Sequence, residues 1–244
     1  MKKYFLLASF CLPALLGLGQ ARFYNTVRIQ YEKTVAVKAL YKEIASDWYE
    51  RIKDQLPQSS LSYYEFVGDT AHSLYRQSKE TPYDPKSFYR PIGDNNVVYN
   101  DYRKGITISQ KPIFEETFLL QDSLLNIKWK LTGDTRIIAG FECRKAVGIL
   151  FDTVAVFAFY TDELTVTGGP EGIQGLPGMI LGMGIPRLHT TWFATQVQVV
   201  DVKTQSLAPA TKGKKVDRQT MFKSLDKVLK DWEYGKKLIL ATMI

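Results

Sequence analysis

The sequence is poor in the side chains on which most nucleophilic sites depend. It contains 2 cysteines and 2 histidines in 244 residues. Cys11 lies in the apolar N-terminal segment, so Cys143 alone remains beyond it and an intramolecular disulfide is excluded. A serine or cysteine nucleophile needs a neighbouring histidine, and neither His72 nor His189 adjoins a nucleophile motif. No catalytic residue is predicted, although a Cys143–His189 dyad stays open as a minor alternative.

Metal and cofactor sites are equally hard to find, and the sequence predicts none. Four soft or borderline ligands leave one alternative open, because such ligands select Cu(I): Cys143, Met179, Met183 and His189. Met179 also suits an ordinary core position, which makes copper binding the lesser interpretation. Phosphate cradling is not indicated, since the glycine-rich segment of the chain carries no lysine.

Long hydrophobic runs are missing except at the start of the chain. Two lysines precede an apolar run over residues 4–18, and small residues follow up to Ala21. This pattern predicts a signal peptide over 1–21 and an exported protein of the periplasm or outer-membrane periphery. Cleavage after Gly19, a retained anchor and a lipid on Cys11 are the alternatives. Residues 22–244 are predicted to form one domain, because no linker divides them.

Charge of one sign is not concentrated anywhere in the chain. The net charge is +7, and removal of Lys2 and Lys3 lowers it to +5. Without a basic stripe, nucleic acid is not a predicted partner. The densest basic cluster, over 212–218, is interpreted as a solvated loop and helix start. Contact of this cluster with anionic lipid or lipopolysaccharide is the alternative.

The hydrophobic periodicity predicts a mainly β fold with a helix near each end. Residues 26–33 alternate with period two, as in a strand, whereas residues 37–55 repeat every three or four positions, as in an amphipathic helix. About ten strands follow one another without intervening helices, which indicates an antiparallel meander. Asp217 is predicted to cap a final helix that Gly235 ends. We expect a curved sheet or half-barrel, similar by analogy to the LolA fold.

A proline-rich loop over 81–96 is a predicted contact surface. Loops of this length are often functional, and this one carries three aromatic side chains that could contact a ligand or partner: Tyr83, Phe88 and Tyr89.

The glycine-rich segment 168–182 is predicted to be a tight, partly buried turn that enters a strand. Gly175 and Gly178 can adopt positive φ, and Pro177 restricts the backbone between them. Leu176 and Met179 are too apolar for a solvated loop. We therefore also count them as candidate contacts for an apolar ligand.

Several motifs carry a resemblance to a known family. Residues 175–180 read GLPGMI, and further matching segments lie in the same order at 138–146 and 159–164. The chain resembles the exported GLPGLI family of Bacteroidetes, which includes Porphyromonas sequences. This resemblance implies no known reaction and hence no catalytic residue. The motif positions, taken as structural, are Trp129, Gly140, Cys143, Lys145, Tyr160, Gly169, Pro170, Gly175, Leu176, Pro177, Gly178 and Ile180.

Taken together, these patterns favour a non-enzymatic binding or accessory protein of the cell envelope. An apolar ligand such as a lipid acyl chain, or an outer-membrane protein complex, is the expected partner. The alternative is a hydrolase that uses carboxylates near the long loop. Asp162 and Glu163, beside the glycine-rich turn, form the best acidic pair that the sequence offers.

Overall fold

A computed structural model describes residues 26–81, 84–200, 207–232 and 234–244 of the chain. The predicted signal peptide, residues 1–21, lies outside these residues. Within them, no helix has the length and apolarity needed to cross a membrane.

The described residues contain twelve strands and four α-helices. The helices are α1 (Val37–Ile44), α2 (Tyr49–Ile52), α3 (Arg218–Leu229) and α4 (Gly235–Met243). The strands are β1 (Thr26–Val35), β2 (Ser60–Asp69), β3 (His72–Lys79), β4 (Val97–Asp101), β5 (Ile106–Ile113), β6 (Glu116–Ser123), β7 (Lys130–Ile138), β8 (Phe141–Leu150), β9 (Val154–Thr161), β10 (Met179–Ile185), β11 (Thr190–Val199) and β12 (Lys214–Val216).

All twelve strands belong to one sheet, which confirms the predicted mainly β, antiparallel meander. Their order is β12-β6-β5-β4-β3-β2-β1-β11-β10-β9-β8-β7. Every neighbouring pair is antiparallel except β12 and β6, which are parallel. The sheet is open between its edge strands β12 and β7, although β7 also contacts β11. Similarity to the LolA fold stays an analogy.

Period-two alternation decides which face of the sheet is buried. In β1, Val27, Ile29 and Tyr31 are each at most 1% exposed. We call the face that carries them the inner face. Lys33 follows in the same alternation and is also buried. A lysine at a buried position of a strand is unusual, because an ammonium group loses its hydration there.

The glycine-rich segment enters a strand as predicted. Gly175 and Gly178 have φ of +101° and +152°, and Met179 begins β10. Met179 and the next two residues, Ile180 and Leu181, are fully buried. The turn therefore feeds aliphatic side chains into the core, where they contribute apolar burial.

The predicted helix cap at Asp217 is confirmed, and the long strand before it contains a β-bulge. The pairing of β1 with β11 shifts by one residue at Thr195. Asp217 accepts a hydrogen bond from the amide of Thr220 at 2.6 Å and caps α3.

Two helix predictions were wrong. The helix predicted over 37–55 ends at Ile44, and α2 begins at Tyr49. Between them the Ser46 hydroxyl bonds Asp47, and such side chains compete with helical hydrogen bonding. Gly235 does not end the chain's helical part, since it is the first residue of α4.

The outer face of α3 is exposed although it carries apolar side chains. Met221, Leu225 and Leu229 are buried against the sheet. Phe222 and Val228 are 47% and 63% exposed, because the apolar positions of this helix cover more of its circumference than the sheet can bury.

Candidate functional site

The glycine-rich segment places one carboxylate in the interior of the protein. Its backbone joins β10 through a hydrogen bond from the Ile180 amide to the Gly168 carbonyl oxygen at 2.9 Å. Pro170–Gly172 then forms a single 3₁₀ turn, in which Glu171 has φ +53° and ψ +23°. A left-handed conformation is uncommon for a glutamate, and it turns this residue out of the regular backbone path. The result is a buried Glu171, only 6% exposed.

Neither carboxylate oxygen of Glu171 makes a hydrogen bond of normal length and angle to the described residues, although the Asn96 amide lies near it. Burial raises the pKa of Glu171, while the nearby charges of Lys33 and Lys111 and the amide of Asn96 oppose that rise. An unpartnered buried carboxylate destabilises a fold, and one in a native protein calls for an explanation such as a missing water or ligand.

A second interior carboxylate, Asp94, is fully engaged. The Lys33 ammonium lies 3.4 Å from Asp94 and also donates to the Ile92 carbonyl oxygen at 3.3 Å. Asp94 is therefore a structural anchor that ties the long loop to β1 and β2. Three hydroxyl groups donate to its carboxylate: Ser62 at 2.7 Å, Tyr64 at 3.0 Å and Thr81 at 2.6 Å.

Replacement of Asp94 by asparagine is expected to destabilise the protein by about 3 kcal/mol, because the Lys33 ammonium stays buried without its counter-charge. Urea unfolding followed by circular dichroism would measure this loss. Asp162→Asn is the control, since Asp162 is exposed. Equal losses for the two variants would contradict the anchoring role of Asp94.

Lys111, on β5, is a second lysine whose charge lies close to Glu171. Its ammonium is buried and donates to the main-chain oxygen of Ile244 at 2.8 Å. Burial lowers the pKa of Lys111 to about 8, against the attraction of Glu171. The centre of the inner face is thus a polar chamber, which we define by Glu171, Lys33, Lys111 and Asp94.

A cavity opens onto this chamber. Its volume is about 100 Å³, and about 780 Å³ of space is present when the mouth is included. A smaller cavity of about 20 Å³, lined in part by Lys111, meets it at Glu171. Polar side chains of Lys33, Asn96 and Thr190 share the wall with Trp192. Tyr41, Tyr89 and Tyr234 add aromatic surface, and Val35, Leu40, Ile44, Ile92, Leu188, Leu238, Ala241 and Ile244 add aliphatic surface.

Helix α1 covers one side of the cavity and is held in place at Glu43. The Glu43 carboxylate contacts the His189 ring nitrogen at 2.6 Å and the Lys237 ammonium at 2.5 Å. These two contacts lower the pKa of Glu43. They join α1 to the β10–β11 turn and to α4.

Glu43→Gln is expected to loosen α1 without unfolding the protein, because exposed ion pairs contribute less than about 1 kcal/mol. Amide hydrogen exchange of residues 38–44 should accelerate severalfold. Glu50→Gln, which removes an exposed Glu50–Lys53 pair on the next helical segment, is the matched control. Unchanged exchange in α1 would show that packing alone holds this helix.

The aromatic residues predicted in the long loop have different locations. Tyr83 lies outside the described residues. Phe88 is 51% exposed and its ring packs against Trp48 with a centroid distance of 5.3 Å. Tyr89 is buried and lines the cavity. The structure thus brings one of the three to the candidate site.

Leu176 and Met179, the candidate apolar ligand contacts, lie in the main hydrophobic core and not in the cavity wall. They are 4% and 0% exposed. A ligand would reach them only if the core opened.

The remaining motif positions are structural in their contacts. Trp129 donates through its ring N–H to the Gln174 carbonyl oxygen at 3.1 Å and fixes the turn before Gly175. Cys143 is buried, and desolvation raises the pKa of its thiol to about 11, which disfavours the reactive thiolate. Lys145 pairs with Asp134 at 2.8 Å near the protein surface.

The predicted acidic pair does not form a cleft. Asp162 and Glu163 are both exposed, and Asp162 pairs with Arg144. Sequence reasoning missed Glu171, although one signal was available: Lys33 continues the apolar alternation of β1, and a buried ammonium group calls for an interior acid.

Metal ligands are not clustered in the described part of the chain. No group of three or more histidine, cysteine, aspartate or glutamate side chains there could hold a metal ion. His189, one of the copper candidates, contacts Glu43 instead.

Comparison with known sequences identifies a family. The sequence model described as N-glycanase peptide, N-terminal domain matches residues 98–222, just over half of the chain. The chain belongs to this family. No curated protein sequence matches the chain significantly.

Two solved structures share the fold of this N-glycanase N-terminal domain. They are crystal structures of PNGF-II in space groups P21 and C2, with TM-scores of 0.54 and 0.52 and 16% sequence identity to this chain in both cases. The alignments cover 84% and 88% of this chain. They cover 34% and 33% of PNGF-II, so the chain spans about a third of the length of those proteins.

Proposed function

We propose that the chain is an exported, non-enzymatic binding domain whose interior cavity recognises part of a glycan. The observation that carries this proposal is the unpartnered Glu171 carboxylate, buried in the wall of a cavity that opens to solvent. Buried polar groups in proteins are nearly always hydrogen-bonded, so a carboxylate without a partner at a cavity wall supports a polar ligand as that partner.

The lining of the cavity supports a sugar as that guest. A sugar presents hydroxyl and amide groups at its edges and C–H groups on its faces. The cavity offers a few polar groups at its floor and several aromatic rings around them, which is the usual composition of a small-molecule site. Membership of the N-glycanase family supports the same class of ligand.

A hydrolase alternative needs two available carboxylates, one of them near the long loop. Asp94 lies on that loop, and its charge helps to raise the pKa of Glu171. However, Asp94 already accepts three hydroxyl hydrogen bonds and one ion pair, so it cannot also activate water. The available chemistry therefore favours binding over hydrolysis.

An acyl chain fits the cavity less well than a polar ligand. A volume of about 100 Å³ is too small for a long chain, and the core beside the glycine-rich turn is filled by side chains. An envelope partner remains compatible with the fold, but pairing along the β7 edge is disfavoured. That edge carries an irregular register between Leu131 and Thr135 and charged side chains, both of which block strand addition.

The test uses a fluorescent peptide that carries an asparagine-linked glycan, together with the same peptide without its glycan. We expect anisotropy titration to show saturable binding of the glycopeptide only. Equal affinity for the two peptides, or no binding to either, would overturn the glycan proposal. Mass spectrometry of the same samples detects glycan release, which would favour the hydrolase instead.

A further inference from the structure

One surface of the protein, around helix α3, is rich in unpaired positive charge. Residues 212–237 contain nine lysines or arginines and four acids, which is a net charge of +5. Glu115 and Glu116 of the adjacent hairpin lower this charge to +3. Three of the nine cations form ion pairs, with Glu43, Glu116 and Asp122. The other six are exposed and form no ion pair within the described residues: Lys212, Lys215, Lys223, Lys227, Lys230 and Lys236.

Helix α3 arranges three of these lysines in a row. Lys223, Lys227 and Lys230 are separated by four and three residues, so their side chains share one side of the helix. That side lies opposite the buried side, which packs against the sheet with Leu225 at its centre. The three ammonium groups therefore face away from the protein and are available to a partner.

Exposed apolar side chains adjoin this row of lysines. Phe114, in the β5–β6 turn, is 65% exposed, Val228 is 63% exposed and Trp232 is 44% exposed. The centroids of the Phe114 and Trp232 rings lie 6.5 Å apart, and all three side chains line one open groove of about 600 Å³. Single exposed apolar residues are ordinary, but contiguous ones mark a contact with a protein or a membrane. We call the three lysines and these three apolar residues the α3 face.

The backbone conformation of Phe114 is a second unusual feature of the α3 face. Ile113 pairs with Glu116, so Phe114 and Glu115 form a two-residue turn. Phe114 has φ +55°, a left-handed conformation that glycine and asparagine adopt readily and that a bulky side chain rarely adopts. Residues in such strained conformations are concentrated at functional sites, and here the strained residue presents an aromatic ring to solvent.

An anionic lipid surface fits this combination of side chains better than a protein partner does. Protein interfaces are depleted in lysine, whereas surfaces that lie on membranes combine lysine with exposed tryptophan and phenylalanine. Ammonium groups attract the phosphates of anionic lipids, and aromatic rings enter the headgroup layer.

We infer that the protein docks on an anionic lipid bilayer through its α3 face. Phe114 and Trp232 enter the headgroup layer, while the three lysines of the face lie against lipid phosphates. None of these side chains lines the interior cavity. Docking on lipid is therefore independent of what the cavity binds, and failure of the glycan proposal would leave it intact.

Co-sedimentation with lipid vesicles tests this inference. The vesicles contain phosphatidylcholine alone or phosphatidylcholine with about 30% phosphatidylglycerol. We expect binding to the anionic vesicles only, and much weaker binding at about 1 M salt, where charges are screened within about 3 Å.

A triple replacement of Lys223, Lys227 and Lys230 by glutamine should weaken vesicle binding at least about tenfold, because each cation near an anionic surface strengthens binding about fivefold. The control makes the same replacement at three exposed lysines outside the α3 face: Lys42, Lys86 and Lys128. It removes the same charge and should retain most of the binding.

Phe114→Asn separates docking from folding. Asparagine tolerates a positive φ, so the melting temperature should be unchanged or raised, while vesicle binding should weaken severalfold. Ile137→Thr removes a similarly exposed apolar side chain from β7 and should leave vesicle binding unchanged. Brominated lipid should quench the tryptophan emission of the wild type, and most of this quenching should be lost in Trp232→Phe.

Three results would overturn docking on lipid. The first is equal binding to neutral and anionic vesicles, or binding to neither. The second is an equal loss of binding in the two triple lysine variants, which would assign the attraction to net charge alone. The third is tight binding of soluble poly-glutamate together with unchanged vesicle binding by Phe114→Asn, which would indicate an acidic protein as the partner instead.

Discussion

Gly178→Ala is expected to destabilise the protein by more than about 4 kcal/mol, the range reached only by severe steric or burial defects. Gly178 has φ +152°, and a Cβ atom there would lie 2.0 Å from the Thr161 carbonyl oxygen. That oxygen belongs to the backbone of β9 and cannot rotate away as a side chain could. The turn and β10 would have to separate from β9, which would expose Met179 and the residues after it.

Urea unfolding of purified Gly178→Ala measures this loss, and the soluble yield measures it when the variant does not fold. Since domains of this kind are stable by only about 5–15 kcal/mol, we expect a large fall in folded protein. Gly133→Ala is the control, because no atom lies within 4 Å of a Cβ built there. A Gly178→Ala variant within about 1 kcal/mol of the wild type would show that this turn is not packed as described.

Gly175→Ala gives the graded comparison for the same turn. Its φ is +101°, but the nearest atom to an added Cβ is the Trp129 ring nitrogen at 3.3 Å. A side chain can yield by a few tenths of an ångström, so only backbone strain of about 1–3 kcal/mol is expected. The order of stability should be Gly133→Ala, then Gly175→Ala, then Gly178→Ala.

Glu171→Gln is expected to stabilise the protein at neutral and alkaline pH, although it alters the proposed binding site. The gain should be on the order of 1–3 kcal/mol, the free energy of holding the buried carboxyl group protonated or of ionising it there, which the neutral glutamine does not require. Burial raises the pKa of Glu171 in the folded state. Below its unfolded pKa the carboxyl group is neutral in both states, so its ionisation costs the fold nothing there.

As pH rises above that value, the unfolded chain loses the proton first and becomes relatively more stable. The free energy of unfolding of the wild type should therefore fall relative to Glu171→Gln until the folded pKa is passed. Urea unfolding would be measured at pH 4.5, 6, 7.5 and 9 for both proteins. The difference between their free energies of unfolding should grow as the pH rises. Glu163→Gln, at an exposed position nearby, should follow the wild type.

A Glu171→Gln protein that is no more stable than the wild type at any of these pH values would refute the account of Glu171 as an unpartnered buried acid.

Local patterns in the sequence were sufficient to predict the strands of the sheet and its turns. Alternating side chains located β1 and the hairpins, Asp217 marked the start of α3, and two glycines with Pro177 marked the turn before β10. These features depend on neighbours within a few residues, where propensity and periodicity act directly. The break after Ile44 and the helix α4 were missed, because tertiary packing overrode the local preference of those segments.

Local sequence patterns are enough to predict a mainly β chain with antiparallel neighbouring strands and the turn that buries Met179. The position of the candidate site depends on contacts between segments that are distant in the sequence. Glu171, Lys33 and Lys111 come from three distant segments. Alternation places Lys33 on the apolar face of its strand but Lys111 on the same face as Thr107 and Ser109, and neither pattern shows what the lysines contact. Their meeting depends on the curvature of the sheet and on the path of the glycine-rich segment across its inner face, which are set by packing over the whole fold.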